Sequence, residues 1–124
     1  MPPRDRDRLE HMVKAARRAV EIVASRGRDA LAQDEDLLLL VSKLVEIVGE
    51  AAKNVSEATR ALGPSIPWSA VARTRDRLAH GYFEIDAKIL GDIAAADLPA
   101  ILPDLERLLG QLAPPPSAER PEKA

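Results

Sequence analysis

Apolar residues recur every three or four positions through most of this chain, and no stretch alternates apolar with polar side chains as a strand would. Leu9, Met12, Val13, Ala16, Val20 and Val23 form one such stripe, which predicts an amphipathic helix over residues 5–25. Arg26-Gly27-Arg28-Asp29 ends it, with Gly27 suited to a left-handed C-cap. A second, longer helix is predicted from residue 33 or 34 to about residue 60, where Asp34, Glu35 and Asp36 complement the positive end of its dipole. Its stripe is Leu37, Leu40, Val41, Leu44, Ile47, Val48, Ala51 and Val55, and Leu38, Leu39, Val45 and Ala52 widen it beyond one face. A helix this apolar either lies at the centre of a bundle or is covered on a second side by another subunit. So short a chain favours the second. Gly49, Ala51 and Ala52 are small enough to permit close helix approach.

Gly63-Pro64-Ser65-Ile66-Pro67 is a break rich in turn formers, and Pro67 suits the first turn of a third helix over residues 68–80. Val71 and Leu78, with Ala70 or Thr74 between them, would face the core. Gly81 ends or distorts that helix. A fourth, short helix is predicted over residues 86–95, with Ile85, Ile89, Leu90 and Ile93 apolar. Asp97 reads as the N-cap of a last helix over residues 98–112, with Pro99 in its first turn and Pro103 expected to bend it. The expected architecture is all-α: one antiparallel bundle of four to five helices over residues 1–112. A Pro-rich, charged tail at residues 113–124 has the composition of disorder.

Charge and composition narrow the function. The formal net charge is -2, so there is no general basic field, and contact with nucleic acid requires a local patch. Cysteine is absent, which excludes disulfides and thiolate metal sites. No stretch reaches the roughly 18 uninterrupted apolar residues of a membrane span, and the N-terminus lacks an apolar secretory core. A soluble cytoplasmic protein is the expectation. No metal-site spacing, Gly-rich phosphate loop or Gly-x-Ser-x-Gly is present, so neither metal nor cofactor is expected.

The local patch lies late in the third helix. The single Trp, Tyr and Phe of the chain (Trp68, Tyr82, Phe83) fall in one window, with Arg73, Arg75 and Arg77 against a single acid, Asp76. Asp76 and His80 are one helical turn apart, so the carboxylate could hold one imidazole nitrogen and leave the other free for proton transfer. Arg75 and His80 are separated by about 140° on an ideal helix. They converge only if the helix is distorted, if Arg75 reaches round, or if two chains contribute to one site. Tyr82 follows Gly81, where regular helix is expected to stop. Cleaving RNA needs a base for the ribose 2′-hydroxyl, an acid for the leaving oxygen and a cation for the extra negative charge. Histidine can serve in either proton role, and arginine matches phosphate geometry. One chain offers one plausible histidine for two proton transfers; a twofold dimer offers two. The plainer reading is also available: Trp68 as core, Arg73 and Arg77 as a solvated face and His11 as structural.

The segment from Ile66-Pro67-Trp68 through Arg75-Asp76-Arg77-Leu78-Ala79-His80-Gly81-Tyr82-Phe83 resembles the signature of the HEPN superfamily, specifically the HepT-like ribonuclease toxins with Arg-x4-His-x-Tyr. Residues 46–56 resemble the long second helix of that branch, and Asp97-Leu98-Pro99 the opening of its final helix. The resemblance implies an all-α homodimer whose two motifs line a shared cleft. It implies a metal-independent endoribonuclease, the toxin of a toxin-antitoxin pair, acting on transfer or messenger RNA. The implied partner is an MNT-type nucleotidyltransferase antitoxin that neutralises the toxin by AMPylation of the motif tyrosine. Carried onto this chain, Arg75 would stabilise the phosphate, His80 would transfer protons, Tyr82 would be modified, and Arg73 and Arg77 would be RNA-binding candidates. Asp76 stands where many relatives have Asn, which would set a carboxylate beside His80 and raise its pKa. The alternative is a non-catalytic helical docking partner of a nucleotidyltransferase that binds nucleotide or anion without cutting RNA.

Overall fold

Periodicity and caps together explain most of the elements in a computed structural model that describes residues 3–78 and 85–112, with the backbone alone described at Pro3 and Arg75. Every regular element among the described residues is helical. Helix α1 spans Pro3–Arg26 and buries Leu9, Met12, Val13, Ala16, Ala19 and Val23. It ends where expected: Gly27 has φ of 87° and its N–H reaches Val23 O at 2.8 Å. A single turn, α2 (Ala30–Gln33), leads into α3 (Glu35–Asn54). Asp34 caps α3 by accepting from the Leu37 N–H at 3.1 Å. Helix α3 lies against α1, which also packs on the last helix, so α1 and α3 form the centre of the bundle.

The long second helix predicted to about residue 60 is broken. Helix α3 stops at Asn54, Val55 is extended, and α4 (Glu57–Leu62) starts under an N-cap from Ser56, whose Oγ accepts from the Thr59 N–H. The reason lies 51 residues away. Asp5, fully buried on α1, accepts from the Ser56 N–H and Oγ and from Thr59 Oγ1, the last two at 2.5 and 2.6 Å. Arg8 lies 3.6 Å from the same carboxylate and donates to Asn54 O. The Ser56 N–H is thus drawn out of the α3 ladder.

The doubly apolar face of α3 divides. Val45 and Ala52 are core, Leu38 is half-buried, and Leu39 and Leu40 are 52% and 39% exposed. Leu40 therefore leaves the stripe assigned to it. Gly49 does permit close approach: a Cβ there would meet Val71 O at 3.2 Å, so α3 lies almost against α5 (Trp68–Ala72). Helix α6 (Thr74–Leu78) follows α5 after a break at Arg73. Val71, Thr74 and Leu78 are buried and Ala70 is exposed, which resolves the two options for the core face.

Helix α7 (Ala87–Asp92) is capped by Asp86, which accepts from the Ile89 N–H at 3.0 Å. Gly91 leaves room for Arg28, which pairs with Asp92 and so fastens the α1–α2 connection to α7. Asp97 is not the side-chain N-cap that its residue type predicts. It is helical, its side chain makes no cap, and it closes a π-helical segment, Ile93–Asp97, that runs directly into α8 (Leu98–Gln111). Pro99 has no N–H for Ala95 O, so the chain widens to a π register without interrupting burial of Ile93, Ala94 and Leu98. Helix α8 continues through the exposed Pro103. The tail 113–124 lies outside the described residues. No helix among those described is long and apolar enough to cross a membrane.

Candidate active site

The Gly63–Pro67 connection is rigid for a loop. Ile66 N–H reaches Gly63 O, and the buried Trp68 donates its Nε1 to the same carbonyl at 3.0 Å. Trp68 is therefore a core residue that fixes the start of α5. Its indole faces inward and is not a platform for a stacked base.

At the other end of α5 the backbone turns at Arg73 (φ -94°, ψ 7°), and the Thr74 hydroxyl satisfies Val71 O at 2.6 Å. On one unbroken helix Arg73 and Arg77, four apart, would share a face. The break separates them. Arg73 borders a cleft against α3 and α4, hydrogen bonded to Ser69. Arg77 borders an apolar groove on α8, where it pairs with Asp97 at 3.2 Å. One of the two RNA-binding candidates thus has its charge already matched within the chain.

Arg75 belongs to α6, between these two arginines. Asp76, exposed, lines the cleft on the Arg73 side. His80 and Tyr82 lie outside the described residues, as do the contact expected between Asp76 and His80 and the aromatic Phe83. The flanking residues are described: Asp86 N–H donates to Leu78 O at 3.1 Å, holding together the two ends between which residues 79–84 run.

The cleft has a volume of about 350 Å³. Gly49 forms part of its lining, where α3 and α5 come closest. Helix α3 adds Glu50 and Lys53, α4 adds Arg60, and the α5–α6 arm adds Ser69, Ala72, Arg73 and Asp76. Arg60 is held by the end of α3, its Nη2 donating to Ala52 O and Lys53 O at 3.0 and 3.1 Å. A cation there complements the negative end of the helix dipole. Its Nε is buried without a hydrogen-bond partner among the described residues. Glu50 accepts from Asn54 Nδ2 on its own helix at 3.3 Å. Sequence reasoning missed Lys53 and Arg60, which are 20 and 13 positions from Arg73 and carry no motif of their own. Among the described residues no group of three or more His, Cys, Asp or Glu side chains could hold a metal ion.

Comparison with known proteins bears on the same segment. The family described as Ribonuclease HepT-like matches residues 12–109, a span that contains Arg75, Asp76, His80 and Tyr82. A protein of Thermococcus cleftensis described as a probable ribonuclease HepT is 32% identical over 103 residues, covering 83% of this chain and 94% of its own. A candidate RNase of Caldanaerobacter subterraneus subsp. tengcongensis is 27% identical over 82% of this chain and 90% of its own. Another, from Methanocaldococcus jannaschii, is 33% identical over 65% and 67% respectively. No solved structure shows significant similarity to the chain. With the motif in order and the match running from α1 through α8, this chain belongs to the HepT-like ribonuclease family.

Proposed function

We propose that this chain is a metal-independent endoribonuclease that works as a homodimer and as the toxin of a toxin-antitoxin pair, in the cytoplasm where its RNA substrates are. One observation carries the reading: the family match spans the complete Arg75-x4-His80-x-Tyr82 motif in a chain with the all-α order of helices. The ribose 2′-oxygen attacks the adjacent phosphorus, and the bond from phosphorus to the 5′-oxygen breaks. The products are a 2′,3′-cyclic phosphate and a free 5′-hydroxyl. His80 moves protons, with the second transfer assigned to its copy across the dimer. Arg75 holds the phosphoryl oxygens and stabilises the charge that builds on them. Asp76 orients the imidazole. Residues 1–112 form the working domain, and 113–124 a tail.

Control falls to Tyr82. AMP transferred to its hydroxyl by a partner nucleotidyltransferase adds a phosphodiester charge and a bulky nucleoside beside Arg75 and His80, where an RNA phosphate must otherwise bind. The test uses purified protein, unmodified or AMPylated at Tyr82, incubated with total RNA and EDTA, followed by sequencing of fragment ends. Cutting that survives chelation, leaves cyclic phosphate ends and is lost on AMPylation is expected. Intact RNA with the unmodified protein would remove the nuclease reading, and equal cutting by both forms would remove the proposed control.

The dimer has its own observable. Leu39 and Leu40, adjacent and more than a third exposed on α3, are the apolar surface assigned to the subunit seam. Leu39→Glu combined with Leu40→Glu is expected to move the protein from dimer to monomer by light scattering. An unchanged dimer mass would exclude this face as the seam.

A further inference from the structure

Beyond the Arg75–His80 motif, and resting on the ribonuclease reading, we infer that the cleft between α3, α4 and the α5–α6 arm is a second RNA subsite. In it Lys53, Arg60 and Arg73 hold a backbone phosphodiester next to the scissile one. Three cations from three separate segments converge there. Among the described residues none of the three is in an ion pair, in contrast to Arg77, which Asp97 matches. Arg60 is held at its Nη2 by two carbonyls of α3, so its guanidinium charge is fixed in the wall at no further conformational cost.

The charge identifies the ligand class. Against the three cations stand Glu50 and Asp76, leaving a net charge of about +1 among the described residues of the lining. That suits a phosphodiester, which carries one negative charge, better than a terminal phosphate carrying nearly two. The position points the same way. Asp76 lines the cleft and directly follows Arg75 on α6, so a strand laid across Lys53 and Arg73 runs toward the helix that carries the first residue of the motif. Among the described residues no aromatic side chain lines the cleft, and Trp68 is committed to the core. Contact through Lys53, Arg60 and Arg73 is with the phosphate backbone and tolerant of sequence.

The test measures binding of a fluorescent single-stranded RNA, 2′-O-methylated so that it cannot be cut, across a salt series. Lys53→Gln with Arg73→Gln, both exposed positions, is compared with the parent and with Lys88→Gln on α7. The cleft neutralises one phosphate, so its loss in the double variant should lower the slope of log K against log salt by about 0.7 for a single strand. That corresponds to roughly 8-fold weaker binding at 0.05 M salt, shrinking toward 1 M. Lys88→Gln should keep the parent slope, and the charge-conserving Lys53→Arg with Arg73→Lys should stay near it. If the parent binds and the double variant has the same slope, the cleft is not a subsite and the nuclease reading is untouched. If the double variant loses affinity for AMP alone, the cleft belongs to a mononucleotide and this inference is overturned. A parent that neither binds nor cuts RNA overturns both.

Discussion

His80→Ala and Arg75→Ala are each expected to lower RNA cleavage by about 10²–10⁴-fold while leaving the helical content and thermal transition of the parent. The magnitude follows from what each side chain contributes: a positioned proton-transfer group, or a fixed cation where charge builds in the transition state. The fold should be indifferent to both changes. The inward face of the α5–α6 arm is made by Trp68, Val71, Thr74 and Leu78, and its far end is tied by the bond from Asp86 N–H to Leu78 O. Cleavage rates on a defined RNA, read beside circular dichroism, separate loss of chemistry from loss of structure. Parent-like rates in both variants would show that the motif does not carry the reaction. Arg77→Ala should cost far less than Arg75→Ala, because Arg77 is already paired with Asp97.

The largest effect on stability is expected at the opposite end of the chain. Asp5→Ala should destabilise the protein by about 2–4 kcal/mol, because it leaves the Ser56 N–H and two hydroxyls facing a buried space without their acceptor and removes the charge partner of Arg8. That corresponds to a fall in melting temperature of roughly 10 °C or more for a domain of this size. Asp5→Asn should also destabilise, since every partner of the carboxylate is a donor and an amide presents an N–H₂ to one of them. The pH dependence has a definite sign. Burial pushes the Asp5 carboxyl up, but the hydrogen bonds from Ser56 and Thr59 and the charge of Arg8 outweigh it, and its pKa falls below the ordinary 3.8. Its contribution is therefore complete above the unfolded-state value and is lost as pH drops through the lower folded value. Asp34, Asp92 and Asp104 are shifted the same way: Asp34 by the Leu37 N–H and then Arg26, Asp92 by Arg28, and Asp104 by Arg107 and then Ser65. Thermal melts of parent and Asp5→Asn at pH 7 and below pH 4 check this. The gap between them should narrow in acid, and a constant gap would mean the carboxylate charge is not what holds the α3–α4 junction.

Much of the molecule follows from short-range order. A repeat of 3.6 residues needs no knowledge of the rest of the chain, so the helices, their apolar faces and the stop at Gly27 could be read directly. The Arg75-x4-His80-x-Tyr82 motif is likewise contiguous, and it led to the family. What could not be read is whatever depends on two distant segments meeting. Nothing near Ser56 says that Asp5 will claim its N–H and split the long helix in two. Asp97 has the residue type of an N-cap, but capping needs an extended backbone, and packing of Ile93, Ala94 and Leu98 keeps that stretch helical. Arg73 and Arg77 look equivalent in an unbroken helix, and only the turn at Arg73 sends one to a cleft and the other to Asp97. Lys53, Arg60 and Arg73 share no pattern at all. They become neighbours because Gly49 lets α3 and α5 close to backbone contact and Arg60 reaches back to the end of α3. Local periodicity specifies which face of a helix is apolar. The convergence of charges from separate helices is a property of how those faces are buried against one another.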